Sequence, residues 1–467
     1  MYYRPKIGVA ADVIPFYEDG EFKLIYLHDY RDWDKHGEGC PWNLLTTKDL
    51  INYVDHGVII PRGTKEEQDL YIFTGCVYKH HDEYYVYYTG HNPHLRKKGL
   101  PEQKVLLAKG KSLTDLKKVE SFVFEAPDYL EKHDFRDPFV YYDEDEKDYK
   151  MLLAGRVKDG PSNHRGITMI AKSNDLMNWE LEKEPFFESG AYFTHECPDY
   201  FKIGDWYYLI FSEFTDKIIT RYRYSKNPRG PWLMPPHDSF DGHAYYAAKS
   251  VLAGDKRYLF GWNPIKYNEQ DHELWQWGGT IIPHEIYQND DGTLSVRIPE
   301  SIDKSYQKPI ELQEFTQKHM HKIQDGYRGG LHAYGYTLFN EMKDNVKIEF
   351  KFKIQSRQHN FGVMLRMDDT LDQGYFVKFD PHHSRFAFDK TLRRDSTLYH
   401  QVDTERFLDF NLDTYHHVKI IVEKSVITVY VDDKVAMGAR MFDFVKGRFG
   451  IFSNHSDVIF KDIKIIE

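Results

Sequence analysis

The sequence predicts an all-β chain made of a five-bladed β-propeller followed by a C-terminal β-sandwich, and three observations predict it. Five aromatic hairpins recur at similar spacing through residues 1–300. Beyond Pro299 the texture changes to longer strands of alternating polarity. The length of 467 residues also exceeds what one hydrophobic core ordinarily serves, so two domains are expected.

The first hairpin runs from Val13 to Leu27 and turns at Asp19-Gly20. The second, Val77 to Gly90, turns at Asp82-Glu83 into Tyr84-Tyr85-Val86-Tyr87-Tyr88. The third, Phe139 to Gly155, turns in the acidic stretch Asp143 to Asp148. The fourth, Phe193 to Ser212, turns at Gly204-Asp205, and the fifth, Ser250 to Trp262, at Gly254-Asp255. Aromatic and β-branched residues favour strands, and a short polar turn between two such runs reads as a hairpin. The turns lie about 50 to 65 residues apart, a period at which each strand-rich repeat reads as one propeller blade.

Lys104 to Lys109 and Ile167 to Lys172 read as outer strands. Each leads into a polar, leucine-containing turn, Ser112-Leu113-Thr114-Asp115-Leu116 and Ser173-Asn174-Asp175-Leu176 with Trp179; Thr46-Thr47-Lys48-Asp49-Leu50 fits the same slot. These turns are read as structural. The propeller is assigned to residues 1–300, the polar stretch 301–324 to a linker, and the sandwich to 325–467. Val346, Ile348, Phe350, Phe352 and Ile354 alternate with polar residues, as a half-buried antiparallel strand does. Phe361–Met367, Tyr375–Phe379, Arg385–Phe388, His417–Glu423, Val426–Val431 and Val458–Ile466 are further strands of this unit.

A net charge of −11 and the lack of a Lys/Arg cluster argue against nucleic acid, whose phosphates need a basic footprint. No apolar run approaches membrane-spanning length, and Met1 to Ala10 lacks a charged-then-apolar leader pattern. Cys40, Cys76 and Cys197 are an odd, widely spaced set that suits a reducing, cytoplasmic setting. No cofactor and no metal are expected. The pairs His80-His81, His382-His383 and His416-His417 are read as surface residues, because neighbours on a strand point to opposite faces. The sandwich is a candidate homo-oligomer contact.

Just before the first strand of each hairpin stand Asp12, Gly75, Asp137, Glu196 and Ala247-Ala248. Equivalent blade positions face one central channel, so three acids and two small residues there form an acidic pocket with room for a ligand. Crowded carboxylates cost stability, a cost sequences tolerate mainly at functional sites. A bound cation would also explain them, but a carboxylate pair in an aromatic pocket is what glycoside cleavage needs. Glu196, beside Cys197 and near two other acids, is the candidate proton donor, and Asp12 the nucleophile. Asp137, held ionised by Arg136, is a fixed acceptor for sugar hydroxyls. Trp42, Phe73, Tyr246 and Trp262 are the candidate ring contacts, with Arg136 beside them.

Phe135-Arg136-Asp137-Pro138 and Glu196-Cys197-Pro198-Asp199 resemble two motifs of glycoside hydrolase family 32, the β-fructofuranosidases. Phe73-Thr74-Gly75, Lys48-Asp49-Leu50, Tyr246-Ala247-Ala248-Lys249 and Gly278-Gly279-Thr280 with Pro283 and Glu285 resemble further spots of that family. The resemblance runs from about Gly8 to Pro299. It implies a retaining hydrolase that removes terminal β-linked fructose from sucrose or fructans, with Asp12 as nucleophile, Glu196 as acid/base and Asp137 binding fructose hydroxyls. Two stretches differ from the family's usual sequence. Asn-Asp-Pro-Asn-Gly is replaced by Ala11-Asp12-Val13-Ile14-Pro15, and His-Trp-Gly-His by Pro41-Trp42-Asn43-Leu44, so the acids are kept better than the sugar contacts around them. The alternatives are an arabinofuranosidase or xylosidase on a related five-bladed scaffold, and a fructan-binding protein without turnover.

Overall fold

The computed structural model describes residues 1–357, 359–390 and 402–467. It is built mostly of β-strands with a few short helices. Two compact units divide the chain: Met1–Ser239, Tyr245–Pro264 and Trp277–Leu294 form one, and Phe240–Ala244, Ile265–Gln276 and Ser295–Glu467 the other. The second unit therefore begins earlier than expected and includes two short segments from further upstream.

In the first unit β1 (Val9–Glu18), β2 (Glu21–Asp29), β3 (Trp42–Thr47) and β4 (Val54–Ile60) pair in that order. They are followed by β5 (Tyr71–His80), β6 (Glu83–His91), β7 (Gln103–Gly110) and β8 (Lys117–Lys118). The third group is β9 (Arg136–Asp143), β10 (Asp148–Arg156) and β11 (Gly166–Ser173), with β12 (Glu180–Leu181) and β13 (Phe187–Glu188) both on β11. Then come β14 (Glu196–Ile203), β15 (Trp206–Glu213) and β16 (Ile219–Ser225). The last, β17 (Tyr246–Ala253), β18 (Lys256–Lys266) and β19 (Trp275–Gln288), joins β1 where Ala10 faces Gly279. The first strands of the groups are neighbours in turn, β1 to β5, β9, β14, β17 and back to β1, so they close a ring.

The expected hairpins form where their turn residues tolerate positive φ. Asp19 and Gly20 adopt φ of 52° and 76°, the sense that matches strand twist in a two-residue loop. The second hairpin turns at His81-Asp82, one residue earlier than read, because β6 already begins at Glu83. Two of the three polar turns share one geometry. Thr47 Oγ1 accepts from Leu50 N at 2.9 Å, and Asp49 Oδ1 from Ile51 N and Asn52 N at 2.9 and 2.8 Å. Ser173 and Asp175 do the same for Leu176, Met177 and Asn178. Each turn buries its leucine and satisfies its own amides.

The second unit consists of two antiparallel sheets whose inner faces share one core, with Phe350 and Phe352 from one sheet and Phe361 and Phe379 from the other. Strand Asn345–Ile354 alternates as its sequence implies. The stretch 301–324 is not a linker: Glu300–Ser305 is helical, and Pro309–Ile310, Glu314–Lys318 and His321–Ile323 pair into the sheets. Polar edge strands carry little apolar alternation, which is why this stretch reads as linker. His416 is not a surface residue either. It is buried against Phe352, its rings 5.0 Å apart, and bonds Asp432 through Nδ1 at 2.7 Å. His382 and His383 are exposed, as is His81.

Candidate active site

Every ring strand carries an irregularity near its start. Register slips by one residue between Ala11 and Ile14, Phe73 and Gly75, Arg136 and Phe139, Glu196 and Asp199, and Tyr246 and Lys249. These are β-bulges, which bend a strand and re-aim a side chain. Asp12, Asp137, Cys197 and Ala247 occupy them with φ of 40°, 59°, 52° and 51°. Left-handed backbone at non-glycine residues is strained, and such strain concentrates at functional sites. Pro138 and Pro198 follow two of the bulges, where a missing N–H breaks no ladder bond. At Gly75 a Cβ would lie 1.9 Å from the Tyr87 carbonyl oxygen, so only glycine fits.

The amides released by the bulges are taken up by the neighbouring group. Asp137 N donates to Thr89 Oγ1 at 2.8 Å, Cys197 N to Asp137 Oδ2 at 2.9 Å, and Ala248 N to Thr220 Oγ1 at 3.3 Å. The ring is thus stitched at the level where the acids stand.

The bulges also correct the expected register. Asp12 and Asp137 share the bulge position with Cys197 and Ala247, whereas Glu196 stands one residue earlier, in line with Arg136 and Tyr246. Those in-line residues bond one another. Arg136 Nη2 donates to Glu196 Oε1 at 2.9 Å, and the Tyr246 hydroxyl donates to Glu196 Oε2. Asp12 accepts from Thr74 Oγ1 at 2.7 Å and from Trp262 Nε1 at 3.0 Å.

Asp12, Asp137 and Glu196 line one hollow of about 160 Å³, together with Phe73, Arg136, Tyr246, Gln103, Asp134, Phe193, Cys197, Phe214, Ala247 and Trp277. A larger open hollow of about 550 Å³, at Phe122, Asp148, Lys172, Asp175 and Trp179, contains no ring-strand residue. Among the described residues no cluster of His, Cys, Asp and Glu is arranged to hold a metal.

Burial pushes the Asp12 carboxyl up to about 7, with the Asp137 and Glu196 charges adding to it and Thr74 and Trp262 opposing. Burial also raises Glu196, against the pull of Arg136. Arg136 is itself buried, and its charge is held by Asp134, Glu196 and Asp137. Its Nη1 donates to Asp134 at 2.7 Å and to Gln103 at 3.3 Å, and its Nε lies 3.6 Å from Asp137. The Cys197 thiol is buried and held well above its usual range, consistent with a packing role beside Asp137.

Of the expected ring contacts, Phe73 and Tyr246 line the hollow. Trp262 does not, but it reaches Asp12 from behind and packs edge-on against Tyr246 and Trp277. Trp42 is a core residue: it is fully buried against Tyr88, with ring centroids 5.9 Å apart. Its neighbours on β3 are all buried too, so strand alternation gave no sign of which face it takes. Thr74, Gln103, Asp134, Phe193, Phe214 and Trp277 were missed. Asp134, two residues before Arg136, and Phe193, three before Glu196, lie close to the motifs; Gln103, Phe214 and Trp277 are distant in sequence from the three catalytic acids.

Comparison with known proteins follows the same division. Residues 6–297 match the Glycosyl hydrolases family 32 N-terminal domain, and residues 292–465 match the GH32, BT1760-like, C-terminal domain. The chain is 23% identical to a levanbiose-producing levanase of Bacillus subtilis, over 97% of this chain and 87% of that one. It is 20% identical to a sucrose-6-phosphate hydrolase of Escherichia coli, over 92% and 86%. Its fold is that of fructan 1-exohydrolase IIa from Cichorium intybus, at a TM-score of 0.76 and 16% identity, covering 100% of this chain and 96% of that one. A sucrose-6-phosphate hydrolase from Lactobacillus gasseri aligns at a TM-score of 0.73 and 16% identity, covering 100% and 92%. The family-32 domain match spans the whole ring of acid-bearing strands, and the chain belongs to glycosyl hydrolase family 32.

Proposed function

We propose that the first unit is a five-bladed β-propeller whose central hollow releases terminal β-D-fructofuranosyl units from fructosides, and that the second is a β-sandwich. The closed ring of first strands supports the blade count. The observation that carries the activity is that Asp12, Asp137 and Glu196, from three different ring strands, line one sugar-accepting hollow.

In this reading Asp12 attacks the anomeric carbon while Glu196 gives its proton to the departing oxygen. Water, deprotonated by Glu196, then attacks the same carbon and releases Asp12, so configuration is retained. Thr74 and Trp262 orient the Asp12 carboxylate and stabilise its anion. Asp137, pinned by the Cys197 amide, accepts from fructose hydroxyls.

Protons here belong to the coupled acids jointly. Burial raises both Asp12 and Glu196. Catalysis needs the proton on Glu196, and the assignment of Asp12 as nucleophile rests on family membership and on its two neutral donors, Thr74 and Trp262. The three cysteines are free and buried, which supports a reducing, cytoplasmic setting.

Incubation with sucrose, kestose, inulin, levan and arabino- and xylofuranosides, with the released sugar identified and its first anomer followed by NMR, tests the proposal. Fructosyl sugar released with retained configuration, and its loss in Glu196→Gln, is expected. Release of arabinose or xylose with inversion, or binding without release, would overturn it.

A further inference from the structure

The hollow is strongly unbalanced in charge. Asp12, Asp134, Asp137 and Glu196 face it, and Arg136 is its one lining cation among the described residues. Arg136 is already engaged by Asp134, Glu196 and Asp137. Neighbouring cations are committed as well: Lys249 Nζ donates to the Pro198 carbonyl at 2.9 Å. Arg156 donates to Asp134 at 2.9 Å and to the Ser162 carbonyl at 2.7 Å, and Arg31 pairs with Asp29 and donates to the Trp277 carbonyl.

The side of the hollow next to Glu196 is aromatic. Glu196 pairs with Ser212 across β14 and β15, so Phe193, three residues before Glu196, and Phe214, two residues after Ser212, lie at the same end of that strand pair. Their rings are 5.2 Å apart and both line the hollow. Phe193 is backed by the Arg156 guanidinium 3.5 Å from its centroid, and its amide donates to Thr215 Oγ1 at 2.6 Å. Phe214 is 43% exposed, an aromatic face left open to solvent.

A proton donor stands beside the leaving group by definition. We infer that the Phe193–Phe214 pair is the leaving-group seat, and that it takes an uncharged sugar and rejects a phosphorylated one. Sugar rings stack on aromatic faces through their C–H surfaces, whereas a phosphate brought to this end would meet an acid-lined hollow whose one lining cation among the described residues, Arg136, is already engaged. In sucrose-6-phosphate the phosphate is on the glucosyl leaving group, so it falls on this side. The inference rests on the fructosidase reading above and deepens it.

The test compares kcat/KM of the full chain on sucrose, 1-kestose, sucrose-6-phosphate and β-D-fructofuranosyl fluoride, whose leaving group has no ring, in the native protein, Phe214→Ala and Phe214→Trp. The native protein is expected to use sucrose-6-phosphate at least about tenfold less well than sucrose. Phe214→Ala is expected to lose about tenfold on sucrose and 1-kestose and nothing on the fluoride, with Phe214→Trp restoring the loss. Equal or better use of sucrose-6-phosphate overturns the charge argument, and equal losses on fluoride and sugar-leaving substrates, or no loss, overturn the seat. Inactivity of the native protein on all four substrates would instead defeat the fructosidase reading itself.

Discussion

The two units bury acids in opposite ways. In the second, several buried and half-buried carboxylates are matched or outnumbered by partners. Asp303 is shared by Lys347 and Lys419, Asp403 by Lys266 and Lys390, and Asp271 accepts from the Tyr375 hydroxyl and from the Phe442 and Asp443 amides. In the first, three acids share one guanidinium and an open hollow. Matched burial holds a fold together: the Asp303 carboxyl is held low by its lysines, although burial still raises Asp271, whose partners are neutral donors. In the hollow burial raises Asp12 and Glu196 instead, which destabilises the fold and creates groups suited to giving and taking protons. That contrast identifies the site more sharply than pocket size does.

Removing an acid from each region should separate the two roles. Glu196→Gln is expected to lower kcat by about a thousandfold or more while leaving the thermal transition near its native value. Asp303→Ala should do the reverse. It strands Lys347 and Lys419 and is expected to cost about 3 kcal/mol in denaturant unfolding of the second unit, with kcat unchanged. If Asp303→Ala abolished catalysis in protein still folded at assay temperature, the contrast would fail.

The sign of the pH dependence differs as well. Asp12 has its folded pKa raised, so its contribution favours the folded state at low pH and is lost as pH rises from the unfolded carboxylate range through about 7. Asp12→Asn should therefore abolish turnover yet raise the unfolding temperature at pH 8, by about 1–2 kcal/mol of stability, with the gain shrinking toward pH 4. Asp303, lowered, contributes above the unfolded carboxylate range and loses that contribution as pH falls. A stabilisation by Asp12→Asn that was larger at pH 4 than at pH 8 would contradict the assigned shift.

Smaller effects sharpen the account around Asp12. Thr74→Val removes one of its two donors, so its carboxyl should rise further, moving the acid limb of the kcat profile upward and lowering kcat about tenfold at pH 6. Trp42→Phe should leave KM and kcat unchanged and cost about 1–3 kcal/mol of stability, because Trp42 is packed in the core and does not line the hollow. A raised KM in Trp42→Phe would return that ring to the sugar site.

Much of this was legible in the sequence because it is local. Asp19-Gly20, Gly204-Asp205 and Gly254-Asp255 are two-residue loops between aromatic runs, and the strands Phe361–Met367, Val426–Val431 and Val458–Ile466 end where their sequence says. The acids were legible because short motifs surround them. The off-by-one frame of Glu196 was not, since a bulge is an extra residue whose presence depends on the partner strand. Trp277, Phe214 and Gln103 reach the hollow from strand ends and loops far along the chain, and no spacing rule ties them to Asp12 or Glu196. The polar edge strands in 309–323 were misread because their hydrogen-bond partners, near Tyr336, Tyr327 and Ile465, come later in sequence.

The most direct measurement is a crystal structure of the Glu196→Gln variant soaked with 1-kestose. The account predicts a terminal fructosyl ring in the hollow, its anomeric carbon about 3 to 3.5 Å from an Asp12 carboxylate oxygen. Asp137 should accept from its hydroxyls, and the next sugar should lie against Phe193 and Phe214. A fructosyl ring seated away from these three acids, or oriented with its anomeric carbon turned from Asp12, would contradict it.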